Sequence, residues 1–205
     1  EQLFQIGFFA AILRIATPLI FATLGELFSE RAGVLNLGIE GIMLLSAMTG
    51  FTTASMTGSL WLGVLAAMLT GAAIGFLHAV LTVALGLSQH VCGIGVTLLS
   101  SGLAYFFYRL IFGEQSQPPS ITGFKPVAVP GLADIPFVGP VLFNQFALVY
   151  LAILLVPGAA FVLRHTPWGL SLRMVGENPR AADSAGVSVT ATRFQEVMIG
   201  GALMG

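Results

Sequence analysis

Between residues 41 and 108 the chain carries no Asp, Glu, Lys or Arg, an apolar stretch of 68 residues. A helical bilayer crossing takes about 20 residues, so this stretch predicts three spans joined by tight turns. Lipid offers the backbone no hydrogen-bond partners, and the polarity does not alternate as a barrel strand's would, so the spans are expected to be helices. The same pattern along the whole chain predicts spans near 3–25, 34–54, 59–86, 90–112 and 144–163, with a sixth beginning near 194. The expected fold is all-α: a polytopic transmembrane bundle of about five complete spans plus the start of a sixth.

The polar residues between these runs orient the bundle. The connection 164–193 holds Arg164, Arg173, Arg180 and Arg193, which places it in the cytoplasm. Alternation then puts 113–143, whose one basic residue is Lys125, outside, and 26–33, with Arg31, inside. Residue 1 falls outside. The outer connection contains Pro118, Pro119, Pro126, Pro130, Pro136 and Pro140, and proline does not sustain a helix interior, so an extended, partly rigid cap is expected there. Its apolar stretch 135–143 is expected at the membrane interface. The chain ends inside the apolar run 197–205, too short to cross a bilayer, and is read as a fragment of a longer membrane protein. The first residues lack the basic segment of a signal peptide, and Arg14 interrupts the apolar run that follows.

Composition agrees. Of 205 residues, 56% are hydrophobic and 8% are charged, against about 25% charged in a soluble domain. A formal net charge of −1 without a basic run gives nucleic acid nothing to bind. Cys92 is the single cysteine, which excludes an intrachain disulfide and a cysteine metal cluster. Lys125 follows Phe124, so the chain has no P-loop, and it lacks the Gly-x-Ser-x-Gly, His-Glu-x-x-His and Gly-x-Gly-x-x-Gly patterns. No catalytic residue, metal ligand or cofactor of its own is expected, and no enzyme activity.

The most informative stretch is 26–41, ELFSERAGVLNLGIEG. It sets Glu26, Glu30 and Arg31 at a membrane boundary and carries Asn36 and Glu40 into an apolar span. Four residues apart, Asn36 and Glu40 would share a helix face. Gly33, Gly38 and Gly41 permit close backbone approach, or a break in the helix, beside that face. A carboxylate at membrane depth faces a bundle interior or a cavity, which reads as a solute pathway or a hinge; the plainer reading is an interhelical hydrogen bond that fixes packing. The plainer reading is preferred for Asn36, and for Glu40 the two stand level. Arg14, mid-span, is expected to pair with Glu40. Arg14, Asn36 and Glu40 are thus the candidate pathway residues. His78 reads as a core histidine, and Gln89 and His90 as solvated turn residues. Gly71 and Gly75 mark a small-residue packing face, and Tyr105, Phe106, Phe107 and Tyr108 an aromatic belt at the outer interface.

In the cytoplasmic connection, Asn178 suits a helix cap, Pro179 the first helical position and Gly186 the residue past the end. A two-turn helix over about 179–185 is predicted. Such a helix is unstable alone and needs a surface to hold it, either a partner's or its own bundle's.

The run 25–45 closely resembles the signature of ABC-importer permeases for nucleosides and simple sugars. The connection 164–186 resembles their cytoplasmic coupling region, and Ala181-Ala182-x-x-x-Gly186 is similar to the Glu-Ala-Ala-x-x-x-Gly loop of ABC importers, with Arg180 in place of the Glu. The outer stretch 130–140 looks like one of the two paralogous permeases of the nucleoside branch. The resemblance implies a subunit that forms the membrane path with a second permease in a bacterial cytoplasmic membrane. Cytoplasmic ATPase subunits, which use the ATP, and an external solute-binding lipoprotein of the basic-membrane-protein type would be its partners. It assigns coupling to the ATPase to Gly176, Glu177, Asn178, Pro179, Arg180, Ala181, Ala182, Asp183 and Gly186. The alternative is a secondary transporter or channel in which Glu40 carries a coupling proton; an intramembrane enzyme would need a nucleophile–base pair that the sequence does not display. Purine nucleoside, pyrimidine nucleoside and sugar all remain open as the solute.

Overall fold

The structure, a computed structural model, describes residues 2–113, 120–133, 135–136 and 138–205, with side chains from residue 6 onward. Six helices build the bundle: α1 (Gln2–Arg31), α2 (Ile39–Thr57), α3 (Leu60–Ala79), α4 (Gln89–Phe112), α6 (Ala147–His165) and α9 (Val189–Met204). A short helix, α5 (Val138–Leu142), lies in the outer connection, and α7 (Pro167–Glu177) and α8 (Pro179–Ser184) lie between α6 and α9.

Among the described residues, four helical segments are long and apolar enough to cross a membrane: Ile6–Arg31, Leu60–Ala84, Gln89–Phe112 and Ala147–His165. The sequence predicted five. The remaining one, α2, has 19 residues but carries Ser46, Thr49, Thr52, Thr53, Ser55 and Thr57 along its length. Large apolar side chains such as Ile15, Leu98 and Leu154 point outward, 70% or more exposed, as they would toward lipid.

Glycines set the packing. On α9, Gly200 sits against Gly25 of α1 and Gly201 against Gly71 of α3, while Gly75 lies on the Val197 carbonyl. A β-carbon at any of these positions would strike the facing backbone, so only glycine lets the axes come this close. The expected packing face at Gly71 and Gly75 is therefore the seat of α9. The pairings also give direction: α9 runs antiparallel to α1 and α3, and α2 antiparallel to α3, where Gly50 meets Gly63. Leu24 and Phe28 share a core with Ala159 and Leu163, which makes α1 and α6 parallel. Arg31, Arg164, Arg173, Arg180 and Arg193 consequently gather at one end of the bundle.

α3 passes into a π-helical turn, Val80–Ala84, where the Thr82 hydroxyl donates to the His78 carbonyl at 2.7 Å. At the opposite end from the arginines, β1 (Val127–Ala128) pairs antiparallel with β2 (Asn144–Gln145). The Tyr150 hydroxyl clamps this ribbon, donating to the Val127 carbonyl at 2.9 Å and accepting from the Gln145 amide at 3.1 Å. Among its described residues the connection 113–143 contains no crossing helix, in line with an extended cap; Pro118 and Pro119 lie outside the described residues.

One predicted boundary is wrong in an informative way. The span expected from residue 34 begins as a helix only at Ile39. Residues 32–38 are not helical, because Gly33 turns left-handed at φ 80° and ends α1.

Candidate functional site

The loop 32–38 is the site. α1 closes with the Gly33 amide bonded to the Glu30 carbonyl at 2.9 Å and the Val34 amide to the Ser29 carbonyl at 3.0 Å, the paired bonds of a left-handed glycine terminus. From there the chain crosses to α2 with Ala32, Val34 and Asn36 at most 1% exposed, while Gly33 and Leu37 face outward. Buried non-helical backbone survives only if protein or water satisfies its polar groups.

Side chains from four helices do so here. Glu26 of α1 accepts from the Asn36 amide at 3.0 Å. Gln89 of α4 accepts from the Leu35 amide at 2.9 Å and donates to the Gly33 carbonyl at 3.2 Å. His78 of α3 places Nε2 3.3 Å from the Leu35 carbonyl. Arg193 of α9 donates to the Ala32 carbonyl at 3.1 Å. Inside the loop, the Asn36 side-chain oxygen accepts from the Gly38 amide at 2.9 Å. Past the loop, Gly38 and Gly41 lie directly on Val96 and Thr97 of α4, with no room for a β-carbon.

Several polar atoms around this loop are buried without a partner among the described residues: Glu26 Oε2, His78 Nδ1, both carboxylate oxygens of Glu196, and the hydroxyls of Ser46 and Ser100. Native interiors leave few such groups, and they collect where a structure has a second arrangement or a ligand to accommodate.

The candidate pathway residues do not converge. Asn36 is buried in the loop, as the packing reading has it, but it precedes the helix and does not share a face with Glu40. Glu40 is exposed in the first turn of α2, where a carboxylate complements the helix dipole. The pairing of Arg14 with Glu40 is not formed. Arg14 instead donates to Gln145 at 2.9 Å and lies over the Phe146 ring at 4.5 Å, twelve residues and about 18 Å up α1 from Glu26. His78 is a core histidine, fully buried. Gln89, read as a solvated turn residue, is in fact a principal support of the loop, whereas His90 is exposed. The sequence marks Arg193 only as one of the arginines that orient the connection and does not single out Glu196; the available signal is that Glu196 is the one charged residue in the apolar run 194–205.

The predicted two-turn helix forms as α8. Asn178 caps it, accepting from the Ala181 amide at 3.1 Å, and Pro179 takes the first position. Gly186 ends it at φ 82°, with the Val187 amide returning to the Ala182 carbonyl at 3.0 Å. Glu177, Arg180, Ala181, Asp183 and Gly186 are exposed. Ala182, expected on the docking face, is fully buried against the chain's own helices, because α8 rests on α7 along that side. Gly176 of α7 packs on the Arg31 carbonyl so closely that a β-carbon would collide with it. α7 and the loop 32–38 are thus in direct contact.

A separate cavity of about 610 Å³ opens between α1, α2, α3, α6 and the end of α9, lined almost wholly by carbon, with Phe21, Phe51, Met68, Leu148 and Leu203 among its walls. None of Arg14, Asn36 or Glu40 reaches it. Among the described residues, no three His, Cys, Asp or Glu side chains group closely enough to hold a metal ion.

Comparison with known proteins gives these features a family. Residues 8–205 match the model of the family described as "Branched-chain amino acid transport system / permease component". The chain is 42% identical to a Haloferax volcanii protein named "Putative glucose ABC transporter permease protein", over 98% of this chain and 61% of that one. It is 38% identical to a guanosine ABC transporter permease protein of Bacillus subtilis, over 93% of this chain and 62% of that one. A nucleoside ABC transporter permease protein of Lactococcus lactis is 41% identical, over 96% of this chain and 64% of that one. The chain therefore spans less than two thirds of the length of these relatives. No solved structure matches it significantly. The chain belongs to the branched-chain amino acid transport system / permease component family.

Proposed function

We propose that the chain is part of the membrane-spanning permease of an ATP-driven importer for nucleosides or related simple sugars. The observation that carries this reading is α8: a helix too short to be stable alone, specified by a cap, a first-position proline and a terminal glycine, with Arg180, Ala181 and Asp183 presented to solvent. A separate ATPase subunit docks there, using Gly176, Glu177, Asn178, Pro179, Arg180, Ala181, Asp183 and Gly186, while Ala182 anchors the helix to its own bundle. The five arginines at that end support a cytoplasmic position for 164–193 and an external one for 113–143. α2 then crosses the membrane as a fifth span between α3 and α4, and α9 begins a sixth. A second permease subunit completes the path, and an external lipoprotein delivers the solute. The chain belongs to a multi-pass protein of a bacterial cytoplasmic membrane. The relatives named for guanosine, nucleoside and glucose transport support this solute class.

The test is uptake by the full-length protein, reconstituted with its second permease, ATPase and lipoprotein, using a purine nucleoside, a pyrimidine nucleoside and glucose as probes. Uptake of at least one that requires ATP is expected. Uptake driven by an imposed pH gradient without ATP would overturn the reading. Cysteines placed at Ser120 and Ser184, in a Cys92→Ser background, are expected to react with an impermeant thiol reagent from opposite sides of the membrane.

A further inference from the structure

Arg193 and Glu196 stand three residues apart on α9, so their side chains are neighbours on one helical surface. Gly200, one turn further along that surface, packs on Gly25 and Ser29, which places both residues toward the last turns of α1. Arg193 Nε donates to the Ala32 carbonyl at 3.1 Å, and a β-carbon on Gly33 would come within 3.3 Å of the same guanidinium. Glu196 is fully buried, and neither of its carboxylate oxygens has a hydrogen-bond partner among the described residues.

A buried carboxyl group left alone is unfavourable, and a guanidinium is the side chain best shaped to satisfy it. A bond between a guanidinium and a carboxylate, with both partners charged, is stronger than the bond Arg193 now makes to a neutral carbonyl. One flexible side chain therefore has two acceptors in reach: the carbonyl that ends α1 and the carboxylate on its own helix. The geometry points to Arg193 as a two-position latch on the loop 32–38, with Ala32 as the seat occupied here and Glu196 as the other seat.

The latch lies where the proposed ATPase contact can reach it. Ser184, the last residue of α8, is five residues before Val189, the first of α9, and Ser188 caps α9 by accepting from the Ala191 amide. On the other side, Gly176 bears directly on the Arg31 carbonyl. A shift of α7 and α8 against α1 therefore moves the first turn of α9 relative to the last turn of α1. Arg193 leaves Ala32 in that movement, Glu196 receives it, and the loop loses one of its supports. Arg193 and Glu196 are positioning residues in this account: they do not touch the solute or ATP.

This inference rests on the permease reading, and the experiment separates the two. Full-length wild type, Arg193→Gln, Glu196→Gln, the double variant and Arg193→Lys are reconstituted with the partner subunits, and uptake is measured against ATP hydrolysis in the same vesicles. Glu196→Gln keeps the shape of the side chain and removes its charge. Each single Gln variant is expected to lower uptake per ATP by about tenfold while ATP hydrolysis persists. The double variant should lose about the same tenfold rather than the product, because both changes break one interaction. Arg193→Lys should restore most of the coupling. Wild-type coupling in Glu196→Gln, or losses that multiply in the double variant, would overturn the latch and leave the permease reading intact. Absence of ATP-dependent uptake in wild type would remove both. If Glu196→Gln does not assemble, equal losses in Arg193→Lys and Arg193→Gln would themselves refute the charge-based latch.

Discussion

Two junctions join α2 to its neighbours in sequence, and they are built in opposite ways. The α2–α3 turn needs only Gly58, left-handed at φ 70°, and Ser59, which caps α3 by accepting from the Leu62 amide at 3.4 Å. Its support is local, its flanking Met56 is 75% exposed, and nothing lies within 4 Å of where a Gly58 β-carbon would stand. The α1–α2 junction uses the same device, a left-handed glycine, and then five further residues, of which Val34, Asn36 and Gly38 are buried. Those residues draw hydrogen bonds from α1, α3 and α4, and Ala32, just before the glycine, accepts one from α9. A chain that needed only to reverse direction had a two-residue solution at hand. The longer solution, held by side chains from other helices, also packs against Gly176 of α7.

Substitutions at matched positions sharpen this contrast. The largest difference is expected between Gln89→Leu and Ser59→Ala. The first strands the part-buried Leu35 amide and removes the bond to the exposed Gly33 carbonyl, at a cost of about 2–3 kcal/mol. The second removes one exposed cap, worth about 1 kcal/mol. Thermal unfolding of the full-length protein in detergent reads both, and equal shifts would mean that the loop is not clamped.

The glycine pair comes next. Gly33→Ala and Gly58→Ala each force a β-carbon into the left-handed region, at about 1–2 kcal/mol. At Gly58 that is the whole effect. At Gly33 the new methyl also presses on the Arg193 guanidinium, so this variant is expected to be the less stable of the two and to lose uptake while Gly58→Ala keeps it. The smallest effect belongs to Glu40→Gln. Its carboxylate is exposed in the first turn of α2, so the change should cost about 0.5 kcal/mol of helix-dipole stabilisation and leave ATP-driven uptake unchanged. Loss of a proton-driven uptake component in that variant would revive Glu40 as a coupling site.

What the sequence disclosed divides along the range of the interactions. α8 was legible to the residue at its start because Asn178, Pro179 and Gly186 act within a few positions of one another. The helical spans were legible because the absence of charge over 41–108 admits little else. The packing of Gly71 and Gly75 was legible as a small-residue face, though not the partner helix. The loop 32–38 was not, even though Gly33 was seen to permit a break: an apolar run reads as helix when no polar partner for a broken backbone is visible. Those partners come from far away in the chain, Gln89 from 54 residues beyond Leu35 and Arg193 from 161 beyond Ala32. For the same reason Gln89 looked like a solvated turn residue, and Arg14 was matched to Glu40 when its partner is Gln145.

The clamped loop is the central claim, and amide hydrogen exchange of the full-length protein in lipid nanodiscs tests it most directly. Leu35, Asn36 and Gly38 donate their amides to Gln89, Glu26 and the Asn36 side chain, whereas Leu60 and Trp61 begin α3 with no such support from another helix. The account predicts that the three loop amides exchange at least about a hundredfold more slowly than those of Leu60 and Trp61, with protection near that of the surrounding helices. Exchange in the loop as fast as in the α2–α3 turn would contradict it, and residues 32–38 would then be a connector like the other.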